Sequence, residues 1–255
     1  MDGSAPIHIS IDNVAFERGL YSHPAKDEVP PLKTEKFLGE KIESLYAGVW
    51  PKIFDRAENL KTRENLARFI ALMALRHPKE KQAVRTVNKL FRETVSGLPP
   101  EQEVEFVVEG KSISIRVDEV LKLASDDRDT IQSQYLRNMP HTVMDIANVL
   151  VKRRWGIIFS DSPIFITSDC PVVLCRGLSA KTYFGFGTPG TSILFPICPT
   201  RLLAIDDRWP HEFAHYKLTK PDIYNGIISR GATRFVYADN ENPDLAAKIS
   251  KWRST

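Results

Sequence analysis

Two stretches of this chain carry side chains whose types and spacing can do chemistry. The first is Thr167-Ser168-Asp169-Cys170-Pro171, set between two apolar runs. A carboxylate presented at a sheet edge can act as a general base or coordinate a metal, with Ser168 orienting it. The same residues before a proline also make a good turn, because Ser and Asp side chains bond nearby backbone amides. Asp169 has a third use, as a bidentate clamp on the guanidinium of Arg234. Asn225, on a late helix, needs partners at both ends of its amide if buried, so it either holds a strand-connecting loop or touches a ligand. Convergence of Asp169, Asn225 and Arg234 would suit a phosphate-bearing, nucleotide-like or otherwise anionic ligand.

The second stretch, His211-Glu212-Phe213-Ala214-His215, matches H-E-x-x-H. On a helix the two histidines share a face and bind zinc while the glutamate activates a water. Zinc is the one cofactor suggested, and only under this alternative; Asp222, Asp239 or Glu241 would supply a third ligand. Pro210 and Pro221 leave room for a short helix only. Were the segment a strand, His211 and His215 would stand roughly 13 Å apart, too far for one metal. Cys198 lacks the nearby cysteine of a zinc finger, and Cys170 reads as a small buried thiol because no base is fixed beside it. Residues 185–190 contain three glycines but no phosphate-loop pattern, and read as a flexible hairpin or lid.

The elements that must position these groups follow from periodicity. Ile7, Ile9 and Ile11 alternate like a short strand. Ile42, Leu45, Val49 and Ile53 share a helical face that Pro51 should kink or restart. Thr62 is a fair N-cap for a central helix carrying Leu66, Phe69, Ile70 and Leu72. A helix over 79–96 ends at Gly97, and a hairpin turning at Glu109-Gly110-Lys111 occupies about 103–117. Helical pattern returns over 118–136, and another helix is expected to begin at Pro140. After Trp155 come short β-rich runs at 156–160, 164–167, 171–175, 192–197 and 202–205. A helix near 222–230, a strand at 234–238 and a final helix with Leu245, Ile249 and Trp252 on one side complete the chain. Lys152-Arg153-Arg154 reads as cations at a helix end or as a phosphate-contacting patch.

The expected fold is therefore α+β: a helical half (35–154) packed on a mostly antiparallel sheet (155–255), with a small hairpin insertion, in one domain. The 255 residues are 42% hydrophobic and 26% charged, an ordinary globular composition. A net charge of +3 from 35 basic and 32 acidic residues does not indicate nucleic acid. No apolar run approaches the roughly 18 residues that span a bilayer, and the first residues lack the pattern of a secretory signal. Three cysteines without a CxxC pair point to reduced thiols and a cytoplasmic location.

Several segments together resemble a family of bacterial proteins, domain of unknown function 4238. They are Trp155-Gly156-Ile157-Ile158, Phe165-Ile166-Thr167-Ser168-Asp169-Cys170-Pro171-Val172-Val173 and Ile193-Leu194-Phe195-Pro196-Ile197-Cys198-Pro199. Asn225, Ala232-Thr233-Arg234-Phe235-Val236-Tyr237-Ala238, Thr62-Arg63-Glu64-Asn65 and Asn13-Val14-Ala15-Phe16-Glu17 extend the resemblance over most of the chain. Members of that family typically carry asparagine at the position of Cys170 and begin with a histidine-containing segment similar to Gln-His-Tyr-Val-Pro. Either the start is truncated or this copy has lost part of a site. The resemblance implies a family and no activity. Three functions remain: a polar binding or catalytic site at the Asp169 turn for an anionic ligand, a protein-interaction module whose helical half docks a partner, or a zinc hydrolase using His211, Glu212 and His215.

Overall fold

The computed structural model describes residues 21–25, 27, 29–54, 59–108, 110–176, 185–211, 213–240 and 242–254. The strand expected at residues 7–11, the resembling segment at 13–17 and Glu212 lie outside the described residues. The chain is α+β and divides into two compact units. One takes in the described residues of Lys41–His77 and Val143–Thr255; the other takes in those of Gly19–Glu40 and Pro78–Thr142.

The first unit is built on a five-stranded sheet. Its strands are β3 (Trp155–Phe159), β5 (Val173–Cys175), β6 (Ser192–Cys198), β7 (Arg201–Ile205) and β8 (Phe213–Lys217). Their order is β5-β6-β7-β3-β8, antiparallel except where β3 and β8 run parallel. Both faces are apolar, as the unbroken buried run of Trp155 to Ile158 requires. On one face lie Trp155, Ile157, Ile193, Phe195, Leu203 and Ile205, covered by α4 (Leu60–Leu75). Phe69 of α4 meets Phe195 edge to face at 6.2 Å, and the Arg63 guanidinium lies 5.3 Å over the Trp155 ring. On the other face Ile158, Leu194, Leu202 and Ala204 join Ile228 of α8 (Asp222–Gly231). Leu245, Ile249 and Trp252 of α9 (Pro243–Ser254) pack against the same cluster. A two-stranded ladder, β4 (Thr167–Ser168) with β9 (Val236–Tyr237), stands apart from the sheet.

Three sequence expectations for this unit and its helices are corrected. The N-cap of α4 is Asn59, whose Oδ1 accepts from the Thr62 N–H at 2.9 Å, while Thr62 itself is buried inside the first turn. Residues 213–217 form an edge strand and not a short helix. Alternation decides it, because Phe213 pairs with Trp155 while Ala214 pairs with Gly156 on the opposite face. Pro140 begins no helix: it lies within α7 (Arg128–Val151). The missing N–H costs α7 a hydrogen bond. The buried Leu136, Met139 and Val143 around it anchor the helix through that point. Pro51 does restart a helix, in the first turn of α3 (Trp50–Phe54).

Gly156 is a packing requirement. A Cβ placed there would fall 2.6 Å from Cε2 of Trp209, whose ring stacks on Tyr216 and whose Nε1 donates to the Ala204 carbonyl. Gly156→Ala is therefore expected to destabilise by about 1–3 kcal/mol through overpacking. Thermal denaturation should show a midpoint several degrees lower; an unchanged midpoint would mean that Trp209 moves aside freely.

One end of the sheet carries a polar cluster. Asp206 accepts from the Arg208 N–H at 2.9 Å, from Arg208 Nε at 2.8 Å and from the Ser192 hydroxyl. Burial alone would raise its carboxyl; these hydrogen bonds outweigh it and hold the group at about 2. With the folded value below the unfolded one near 3.8, the stabilisation is present above pH 4 and lost as pH falls towards 2. A loss on the order of 1–2 kcal/mol is expected, discounted because the Arg208 side chain is 73% exposed. Urea titrations at pH 5 and pH 2.5 should show this loss in the native chain and a smaller one in Asp206→Asn.

The second unit pairs β1 (Glu103–Val108) with β2 (Lys111–Arg116) in the expected hairpin. It packs Val104, Phe106 and Ile115 on Val95, Val117 and Val120. Val117 and Val120 belong to α6 (Val117–Leu123), and Val95 follows α5 (Pro78–Thr94). Gly97, at φ +82°, ends that helical stretch in the left-handed conformation a side chain resists.

Candidate functional site

The Ser168–Cys170 turn leaves β4 and meets the chain as it approaches β9. The Ser168 hydroxyl accepts from the Cys170 N–H at 3.1 Å, closing the turn, and the Asp169 N–H donates to the Phe235 carbonyl at 3.1 Å. The two Asp169 oxygens accept separately, Oδ1 from the Thr233 N–H at 3.0 Å and Oδ2 from the Arg234 N–H at 2.7 Å. The carboxylate thus binds the backbone of Arg234, and the bidentate pair with its guanidinium is not formed. Pairing of β4 with β9 brings residues 233 and 234 alongside the turn, where their N–H groups take the carboxylate as acceptor. The guanidinium instead lies 5.0 Å over the Phe235 ring, on an exposed residue.

Asn225 is 1% exposed and satisfied at both ends. Its Nδ2 donates to the Ile164 carbonyl at 2.8 Å and its Oδ1 accepts from the Ile166 N–H at 3.3 Å. Residues 164–170 are thereby tied to α8 by Asn225 and to the segment after α8 by Asp169. Asp169 and Arg234 come together, while Asn225 serves residues 164–166.

Groups that sequence spacing did not indicate complete the picture. The Thr233 hydroxyl lies 3.3 Å from the Cys170 thiol and 2.8 Å from His77 Nε2. Either partner can donate in each contact; where the thiol and a protonated Nε2 both donate to it, the Thr233 hydroxyl keeps its own proton for an outside acceptor. Burial pushes the Cys170 thiol up, the Thr233 hydrogen bond opposes this, and the adjacent Asp169 carboxylate adds to it. Cys170 is therefore a protonated donor. Tyr237 ends β9 with a buried hydroxyl that has no hydrogen-bond partner among the described residues; burial first and Asp169 second raise its phenol. Arg253 of α9 reaches the carbonyls of Ala232 and Thr233 at 3.4 and 3.3 Å. No spacing rule links His77 to Cys170, which lie almost a hundred residues apart; only the fold joins them.

The helix needed by the H-E-x-x-H reading is not formed. His211 is exposed before β8, and His215 lies within it opposite Ile157. An extended chain separates residues four apart by roughly 13 Å, beyond the reach of one zinc ion. Among the described residues no group of three or more His, Cys, Asp or Glu side chains is arranged to hold a metal. The stretch at 185–190 is drawn onto the body of the unit, where the Phe186 carbonyl accepts from Arg153. Among the described residues no helix is long and apolar enough to cross a membrane.

No curated protein and no solved structure matches this chain. One family model does, described as a protein of unknown function (DUF4238), and it covers residues 1–242. That span is nearly the whole sequence, so the chain belongs to the DUF4238 family.

Proposed function

We propose that the Asp169 turn is the foundation of a site for a small anionic ligand. In this reading the contacts come from Thr233, His77 and Arg234, while Asp169 and Ser168 hold the backbone that carries them. The observation that supports it most is the chain from Cys170 through Thr233 to His77, set at the foot of an exposed arginine. A hydroxyl, an imidazole and a guanidinium are the groups that recognise phosphate or carboxylate oxygens. The three cysteines are unbridged thiols, which supports a reducing, cytoplasmic setting.

The test is thermal shift and calorimetry with phosphate, pyrophosphate and AMP against sodium chloride of equal ionic strength. Pyrophosphate should raise the unfolding midpoint, and Arg234→Ala should weaken its binding about tenfold or more, the worth of a charge-assisted hydrogen bond. If none of the anions binds to the native chain, the reading fails.

A second reading, a protein-interaction surface, is favoured by one observation in the other unit. Ala83, Val87, Leu90 and Thr94 of α5 recur at four-three-four spacing, and all four are exposed, Leu90 at 58%. Phe91 beside them meets Phe106 at 5.5 Å, which pairs across the hairpin with the exposed Ile113. Such a stripe suits a second amphipathic helix. Sedimentation at rising concentration tests a second copy as that partner, and Leu90→Asp should abolish any association seen.

A further inference from the structure

Away from the Asp169 turn, in the unit that carries the hairpin, a second set of polar side chains is buried together. His23 and Thr34 are each 5% exposed, and the Asp27 side chain is 6% exposed. His23 Nε2 lies 2.8 Å from the Thr34 hydroxyl, and His23 Nδ1 lies 3.0 Å from Asp27 Oδ2. The same Asp27 oxygen accepts from the Ser133 hydroxyl of α7 at 2.7 Å, and Arg137 of α7 approaches Oδ1 at 3.5 Å. The backbone around them is fixed: the His23 N–H donates to the Pro31 carbonyl, the Asp27 N–H to Pro24, and Gln132 reaches the Ser22 carbonyl.

These contacts assign the imidazole its tautomer. Burial would raise the Asp27 carboxyl, but hydrogen bonds from Ser133 and His23 and the charge of Arg137 bring it below its ordinary value. An ionised Asp27 accepts a hydrogen bond from Nδ1–H, which keeps the ring proton on Nδ1 and leaves Nε2 unprotonated, so Nε2 accepts a hydrogen bond from the Thr34 hydroxyl. A hydroxyl hydrogen-bonded to an imidazole that a buried carboxylate orients is the arrangement that turns an alcohol into a nucleophile. The Arg137 side chain is 55% exposed yet reaches Asp27, so the carboxylate end of the set lies one side chain beneath the surface.

We propose that Thr34, His23 and Asp27 form a nucleophilic centre that accepts an acyl group from an activated carboxylic ester. Thr34 Oγ1 bonds to the carbonyl carbon as its proton passes to His23 Nε2. The ester carbon–oxygen bond then breaks, and the departing alcohol takes that proton. Water, activated in the same way by Nε2, releases the acid and regenerates Thr34. Asp27 keeps its charge throughout and stabilises the imidazolium. The proposal stands independently of the anion site.

The full chain incubated with p-nitrophenyl acetate tests it. The expected result is p-nitrophenolate release with an acetyl group on Thr34, located by peptide mass spectrometry. Thr34→Ser should retain acylation, whereas Thr34→Val and His23→Gln should lose it at least a hundredfold. An acetyl group found on lysines alone in the native chain would overturn the assignment, and that reading needs no variant to fold. Equal release by a Thr34→Val chain with native circular dichroism would overturn it as well.

Discussion

Replacing Arg153 with methionine should lower the stability of the chain by about 3 kcal/mol. Arg153 is 7% exposed and spends its guanidinium on four contacts. Nε and Nη2 bind the two oxygens of Asp207 at 3.0 and 2.9 Å, Nη1 binds the Phe186 carbonyl at 3.0 Å, and Nη2 also binds the Thr191 carbonyl. Methionine can fill the space of the stem but donates nothing. Asp207, 47% exposed, can turn to water; the carbonyl of the wholly buried Thr191 cannot. The cost therefore falls on the carbonyls, at about 1–3 kcal/mol for each one left unpaired. For a chain of this size the melting midpoint should drop by about 6–12 °C. Asp207→Asn should cost under about 1 kcal/mol, because a half-exposed carboxylate contributes little net stability to its pair. Similar losses in both variants would show that the ion pair, and not the carbonyl anchoring, carries the effect.

Arg153 also illustrates where sequence reading reached its limit. Lys152-Arg153-Arg154 reads first as helix-end cations and second as a phosphate-contacting patch, and both readings place the charges in water. In the structure α7 ends at Val151, and Arg153 turns inward to hold residues 186 and 191, which follow it by more than thirty positions. Nothing local to residue 153 encodes those partners. Gly156 is a parallel case: a glycine among buried strand residues signals a close approach, but Trp209 as the approaching group comes only from the fold.

What periodicity could reach, it reached well. The alternation in 103–116 gave the hairpin, and the apolar runs gave β3, β6 and β7 to within a residue or two, since one residue of slip would expose a buried side chain. The edge strand β8 escaped because its pattern, Phe-Ala-His-Tyr-Lys, mixes polar and apolar side chains on both faces. Edge strands tolerate this, since one side faces water. At the site, Ser168 was legible as a turn former because its bond to the Cys170 N–H is local, whereas the partners of Asp169, residues 233–235, come only from the fold. Thr233, His77 and Tyr237 were not legible, because a hydroxyl, an imidazole and a phenol scattered over 160 residues have no spacing to read. The same holds for Thr34, His23 and Asp27, close in sequence but at separations matching no known motif.

Asn225 supplies the sharpest test of whether a buried polar residue beside the candidate site is scaffold or ligand contact. Asn225→Leu removes the donor to the Ile164 carbonyl and the acceptor for the Ile166 N–H. Ile166 is 1% exposed, so its N–H finds no water in exchange. Leaving both groups unpaired should cost about 3 kcal/mol, read as a lower urea midpoint at constant slope. Asn225→Asp should be destabilised at neutral pH, since it buries a charge and loses the donor. It should recover on acidification, when a protonated carboxyl donates to Ile164 again; the stabilising form is the neutral one, so stability falls as pH rises. A scaffold role further requires that the folded fraction of Asn225→Leu bind pyrophosphate as the native chain does. Affinity lost without any loss of stability would instead move Asn225 into the binding site and break the separation between the two ties on residues 164–170.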